Sequence, residues 1–209
     1  MWSVDSDEKW FNGLDALAAD DIMVLDNVLP SEVLESIQAY FNEVESQGEL
    51  VAAGIGSFAQ RKRIKEIRSD MVYWLERDRD IELAPFFEGI DQVRKLISRE
   101  FFLTLLGYEF HFAKYPPGAF YKPHLDQFVL RDNRILSVVI YLNRDWRDGD
   151  GGELVIHKPS FQKIQPILNR AVVFRSDTVL HEVLPANKSR RSLTGWLLKR
   201  PSTIGVLGL

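Results

Sequence analysis

No cysteine occurs among the 209 residues. That absence removes disulfides, thiolate-held zinc and thiol nucleophiles together, and it leaves a reducing, cytoplasmic setting as the expectation. Apolar runs of ~18 residues or more, the length a membrane helix needs, are also missing. The opening stretch MWSVDSDEKW is acidic and polar, whereas a secretory signal is basic and then apolar. No membrane association is expected. Positive charge is not in excess: 26 basic residues against 30 acidic ones give a net charge of −4. This argues against a nucleic-acid partner. Internal repeats and low-complexity linkers are lacking too, so one structural domain is the expectation. What is present is a 45% hydrophobic composition, sufficient for a sizeable core.

The two halves of the chain differ in periodicity. Trp10, Leu14 and Leu17 recur at helical spacing, "IMVLDNVLP" reads as a short strand and turn, and Val33, Leu34, Ile37 and Phe41 form one helical face ending near Gly48. Gly48 to Asp70 begins glycine-rich and turns basic, which reads as a long loop or ribbon running into a strand near Ile67. A helical apolar pattern returns from Pro85 to Leu106, with Gly107 as its expected stop. Beyond it lie short β-rich runs: "YEFHFAKY", "RILSVVIYLN", "GELVIH", "KIQPIL", "AVVFRS", "TVLHEVLP" and "SLTGWLL". Gly, Pro, Asn and Asp separate them. The pattern predicts a mainly β fold, a barrel or two-sheet sandwich, with N-terminal helices on its outside. Residues 1–60 read as helical and strand support, 61–200 as the functional core and 201–209 as a short apolar tail.

Within the β-rich half, "KPHLDQF" places His124 two positions before Asp126. On a strand, positions i and i+2 share a face, so the pair could grip one ion from one side. His181, in a later β-rich run, supplies a second imidazole. Two histidines and a carboxylate form the facial triad of non-haem Fe(II) oxygenases, which leaves three coordination positions open; zinc takes similar ligands. Arg190 and Arg191 follow, and strand alternation sends only one of them inward. If it is Arg190, then Ser192, Thr194 and Trp196 share its face. A buried guanidinium needs an anionic partner, and the distal carboxylate of a dicarboxylate co-substrate fits one bidentately.

From about Glu66 to Leu198 the sequence resembles the Fe(II)/2-oxoglutarate dioxygenases, specifically the prolyl 4-hydroxylases. The likeness is greatest to the hypoxia-inducible-factor prolyl hydroxylases and their bacterial relatives. "IRSDMVYWLE", "YPPGAFYKPHLD", "VVIYLNRDW", "GGELVIH", "VVFRSD", "HEVLPA" and "RRSLTGW" occur in the family's order. The resemblance implies a double-stranded β-helix, or jelly-roll, core. It implies that His124, Asp126 and His181 are iron ligands and that Arg190, six residues before Trp196, anchors 2-oxoglutarate with help from Tyr141. Tyr115, Leu154 and Thr194 match positions lining the co-substrate pocket. Tyr121, Arg134 and Trp196 match positions around the target proline, and Arg68, Asp70 and Trp74 match the mouth of the site. The implied cofactors are Fe(II), 2-oxoglutarate and O2, with ascorbate as the accompanying reductant; the products are succinate and CO2. The implied partner is a protein or peptide with a target proline, and analogy with bacterial members makes a translation factor a candidate. Oligomeric state is left open.

Other features read more plainly. His111 and His157 are taken as structural. "RKRIKEIR" (Arg61 to Arg68) reads as a solvated loop rather than a nucleic-acid patch. "RDGDGG" (Arg147 to Gly152) reads as a turn. The competing functions are hydroxylation of a free amino acid or other small molecule, nucleic-acid demethylation, and binding without catalysis. "RRSLTGW" departs from the "RYNLTFR"-like tail of the demethylases.

Overall fold

The computed structural model describes residues 8–53, 67–127, 132–157 and 159–200. It opens with helix α1 (Glu8–Asp20), strand β1 (Ile22–Leu25) and helix α2 (Ser31–Ser46). Trp10, Leu14 and Leu17 bury one face of α1, and Val33, Leu34, Ile37, Phe41 and Val44 one face of α2, as their spacing requires. The two-residue β2 (Val51–Ala52) and β3 (Met71–Trp74) flank the basic stretch, of which residues 61–66 lie outside the described segments. The strand expected near Ile67 starts at Met71 instead. Ile67 sits in a turn, and Arg68 folds back on Asp70 before the chain extends.

Helix α3 (Ala84–Glu100) ends earlier than its apolar period suggests. Phe102 takes a left-handed conformation at φ 53°, and the Leu103 amide donates to the Ser98 carbonyl, closing the end without glycine. Gly107 therefore opens a strand rather than stopping the helix. Eight further strands follow: β4 (Gly107–Tyr115), β5 (Tyr121–His124), β6 (Arg134–Tyr141), β7 (Leu154–Ile156), β8 (Gln162–Ile164), β9 (Ala171–Arg175), β10 (His181–Val183) and β11 (Arg190–Leu198). The run "KIQPIL" contributes only its first two residues to β8. Pairing with β7 begins at Gln162, and Pro166, which has no amide hydrogen, lies beyond the ladder.

All pairings are antiparallel. A seven-stranded sheet runs β1-β9-β6-β11-β4-β3-β2, and a four-stranded sheet runs β5-β10-β7-β8. One face of the large sheet carries Phe110, Phe112, Leu193 and Leu197 against the three helices. Its other face carries Val139, Tyr141, Val172 and Phe174 toward Leu154, Ile156, Ile164 and Val183 of the small sheet. This is the two-sheet jelly roll that the sequence led us to expect. Among the described residues no helix is long and apolar enough to cross a membrane.

Candidate active site

The inner face of the large sheet gathers the singled-out residues by strand parity. On β11, Arg190, Ser192, Thr194 and Trp196 point to it, and on β4 their register partners are Tyr115, Ala113, His111 and Glu109. The small sheet closes the other side. His124, at the end of β5, is the register partner of His181, at the start of β10.

Ligand atoms of His124, Asp126 and His181 all lie within 4.8 Å of one another. Nδ1 of His124 lies 2.7 Å from the Lys122 carbonyl oxygen, and Nδ1 of His181 lies 3.0 Å from that of Val179. A carbonyl only accepts, so each Nδ1 carries the hydrogen and each Nε2 keeps its lone pair for an ion. These lone pairs face the carboxylate: His124 Nε2 is 3.5 Å from Asp126 Oδ1, and His181 Nε2 is 3.8 Å from Oδ2. Burial alone would raise the Asp126 pKa, but the two imidazoles and the Ser137 hydroxyl outweigh it and hold the carboxyl well below its ordinary range. Burial lowers His181 to about 4. At neutral pH the carboxylate is ionised and the His181 imidazole neutral, the states a divalent cation requires.

Asp126 is not on β5, which ends at His124; it lies in the bend beyond. Its side chain turns inward because Ser137 Oγ donates to Oδ2 at 2.6 Å, with Ser176 Oγ 2.9 Å from Ser137 Oγ.

Deeper in the cavity, Arg190 is only 2% exposed. Its Nε donates to the Gly152 carbonyl at 2.9 Å, and its guanidinium lies 4.9 Å from the Tyr115 ring centre and 5.0 Å from that of Tyr141. Among the described residues no carboxylate pairs with it. The fully buried Tyr141 hydroxyl beside it makes no well-formed hydrogen bond among the described residues. A sealed cation and an idle hydroxyl suit a bound carboxylate. Leu154 is buried on β7, and Thr194 Oγ1 is 3.0 Å from Ser192 Oγ. Arg191 points the other way, to Asn42 and Glu45 of α2.

Nearer the rim, Arg68 forks to Asp70 and stacks 4.4 Å over Tyr121, whose ring lies 3.5 Å from that of His124. Arg134 lies 3.4 Å over Trp196 and donates to Glu109. Trp74 and Trp196 enclose His111, with ring centres 4.8 and 5.4 Å away.

Residues 110–198 match the 2OG-Fe(II) oxygenase superfamily. A PKHD-type hydroxylase from Maricaulis maris is 32% identical over 101 residues, covering 46% of this chain; the match spans less than half, 45%, of that protein. A prolyl-4-hydroxylase structure from Pseudomonas putida shares 35% identity, covers 90% of this chain and 98% of its own, and superposes with a TM-score of 0.81. The chain belongs to the 2OG-Fe(II) oxygenase superfamily. A prolyl hydroxylase from Trichoplax adhaerens, in complex with a hypoxia-inducible-factor oxygen degradation domain peptide fragment, shares 25% identity over 95% of this chain and 93% of its own, with a TM-score of 0.80. Membership implies Fe(II), 2-oxoglutarate and O2 as the reacting set, and the donor atoms described above fit the first two.

Four features of this 2OG-Fe(II) oxygenase escaped the sequence reading. Ser137 is a lone serine in an apolar strand, and Ser176, the serine of "VVFRSD", sits just past β9 with no ligand chemistry of its own to flag it. The "RDGDGG" turn is more than a turn. Gly152, at φ 67°, brings its carbonyl to Arg190, and a Cβ there would sit 3.2 Å from Arg190 Cδ and 2.9 Å from Ala186 Cβ. His111, taken as structural, faces the cavity side of β4 with a buried Nδ1 that has no hydrogen-bond partner among the described residues. Only its adjacency to Tyr115 parity on β4 could have flagged it.

Proposed function

We propose that the protein is a peptidyl-prolyl 4-hydroxylase acting on a protein loop. His124, Asp126 and His181 hold Fe(II), and Arg190 binds the distal carboxylate of 2-oxoglutarate. The observation that carries the co-substrate assignment is the sealed, acid-free guanidinium of Arg190, on the same inner face as the cavity that His124, Asp126 and His181 close. With metal and co-substrate bound, the centre supplies oxidative decarboxylation of 2-oxoglutarate by O2, yielding succinate and CO2, coupled to hydroxylation of a substrate C–H bond.

The chain's own residues bind, orient and exclude water. Tyr141 keeps its proton because burial raises its pKa, so it donates to the carboxylate that Arg190 neutralises. Tyr115, Leu154 and Thr194 wall the co-substrate pocket. Tyr121, Trp74 and Trp196 give the target residue an aromatic surface, while the buried Arg134 stacks on Trp196 and holds it in place. Arg68 and Asp70 fix the rim from which Tyr121 is aimed. The prolyl peptide as substrate is supported by likeness to the Pseudomonas and Trichoplax prolyl hydroxylases, the second of which is seen with a peptide. The proposal extends to a cytoplasmic protein substrate, such as a translation-factor loop, and to ascorbate as the reductant that keeps iron active.

The test has two stages. Anaerobic Fe(II) and then 2-oxoglutarate are added to the purified protein, and the weak visible charge-transfer band of the chelate is followed. A prolyl peptide and free proline are then compared under air for gain of one oxygen atom and for succinate. Peptide hydroxylation supports the reading. Hydroxylation of free proline alone overturns it in favour of a small-molecule hydroxylase, and absence of the band overturns the metal and co-substrate assignment.

A further inference from the structure

We propose that Ser137 and Ser176 are positioning residues: together they form a two-hydroxyl clamp that restrains Asp126 to binding metal through one oxygen. This rests on the reading of His124, Asp126 and His181 as a metal centre. The need for a clamp follows from the backbone. His124 and His181 sit on paired strands that orient them, but Asp126 lies past the end of β5. Asp126 itself lies in a bend and has no ladder partner among the described residues.

The support comes from across the cavity. Ser137 stands in the middle of β6 and Ser176 just beyond β9, which pair in the large sheet. Both side chains are fully buried. Ser137 has one hydroxyl hydrogen and spends it on Asp126 Oδ2. The contact between the two hydroxyls must then run from Ser176 to Ser137, giving a directional chain from Ser176 through Ser137 to the carboxylate. Ser176 grips the same segment a second time, because its carbonyl accepts from the Gln127 amide at 2.9 Å, and its own amide donates to Ile135 at 3.1 Å. One residue therefore ties the metal-bearing bend and the Ser137 strand together.

The consequence lies in the number of open ligand positions. A carboxylate free to rotate can close both oxygens on one ion and occupy a position that 2-oxoglutarate or dioxygen needs. Engaging Oδ2 in a short hydrogen bond leaves Oδ1, the oxygen nearer His124, as the one with uncommitted lone pairs. Partners of ligating groups at this distance commonly change metal affinity by about 10–100-fold when removed.

Co(II) is the probe, since its visible spectrum reports ligand number and its affinity is measured by chelator competition without turnover. Ser137→Ala is expected to weaken Co(II) binding by about 10–100-fold and to change the visible band, with circular dichroism and thermal midpoint retained. Ser137→Thr restores the hydroxyl and should recover the affinity and the spectrum. Because threonine adds a methyl group to a sealed site, Ser176→Ala is the independent variant: it leaves Ser137 without a donor and should shift the same band to a smaller extent. Unchanged affinity and spectrum in Ser137→Ala overturn the clamp while leaving the metal centre standing. A parent protein that takes up no Co(II) overturns both.

Discussion

Replacing Arg190 by methionine is expected to act with opposite signs on two observables. Arg190 is buried, holds one carbonyl through Nε and has no acidic partner among the described residues. Removing one member of a buried charge pair costs about 3–5 kcal/mol. If the pair is completed only by 2-oxoglutarate, that cost falls on binding, and at about 1.4 kcal/mol per factor of ten the dissociation constant rises by roughly two to three and a half powers of ten. The ligand-free protein behaves differently. It loses the bond to Gly152, about 1.5–3 kcal/mol for a charged donor, and is relieved of an uncompensated buried charge that costs several kcal/mol. Its thermal midpoint should therefore stay level or rise. Calorimetric titration of 2-oxoglutarate into Mn(II)-loaded protein, beside thermal unfolding of the ligand-free form, reads both quantities. Arg191→Met is the control. Its half-exposed fork to α2 is worth at most about 1 kcal/mol, and its loss should leave 2-oxoglutarate affinity unchanged. An Arg190→Met protein that is markedly destabilised yet binds 2-oxoglutarate normally would refute the reasoning.

Tyr141→Phe should weaken 2-oxoglutarate binding by about 10–100-fold, the worth of one hydrogen bond to a charged group, with no loss of ligand-free stability, because its hydroxyl has no well-formed bond to lose; calorimetry checks both. His111→Phe keeps the aromatic stack and should unfold less readily in acid. Burial lowers His111 to about 3, with Arg68 and Arg134 adding to the effect, so the unfolded chain takes up its proton first, and the parent loses stability as pH falls from about 6.5 toward about 3. Urea titrations at pH 7 and pH 5 should show a smaller difference in the variant, and an equal difference would sink the idea. Gly195→Ala places a methyl group 2.3 Å from the Glu109 carbonyl oxygen and 2.3 Å from Phe110 Cδ1, and overpacking of this kind costs about 1–3 kcal/mol. A thermal midpoint lowered by roughly 3–10 °C is expected.

What could be read from the sequence was whatever one element encodes alone. The α2 stripe of Val33, Leu34, Ile37 and Phe41 is buried as its spacing demands, and alternation along "RRSLTGWLL" sorted Arg190, Thr194 and Trp196 onto one face before any pairing was known. Features built by several elements were not legible. Phe101 and Leu105 continue the helical period past Glu100, but they reach the same core from a non-helical turn, so apolarity persisted where the helix did not. An i, i+2 spacing suits a strand and a bend equally, so it does not show that β5 stops at His124 and leaves Asp126 in the bend beyond. Ser137 and Ser176 are 39 positions apart and meet only because β6 pairs with β9. Gly152 acquires its role only through a distant arginine.

The two faces of β11 answer to different neighbours: Arg190 looks into the cavity, and Arg191, next in line, reaches α2. Reading frame therefore matters on this strand more than composition. A single residue inserted ahead of Arg190 by local slippage would exchange every inward side chain for its outward neighbour. Leu193 and Leu197 would be turned toward the co-substrate, and Thr194 and Trp196 into the helix-packed core. A change of length therefore disturbs both faces of this strand at once, and insertions are expected only in the turns on either side.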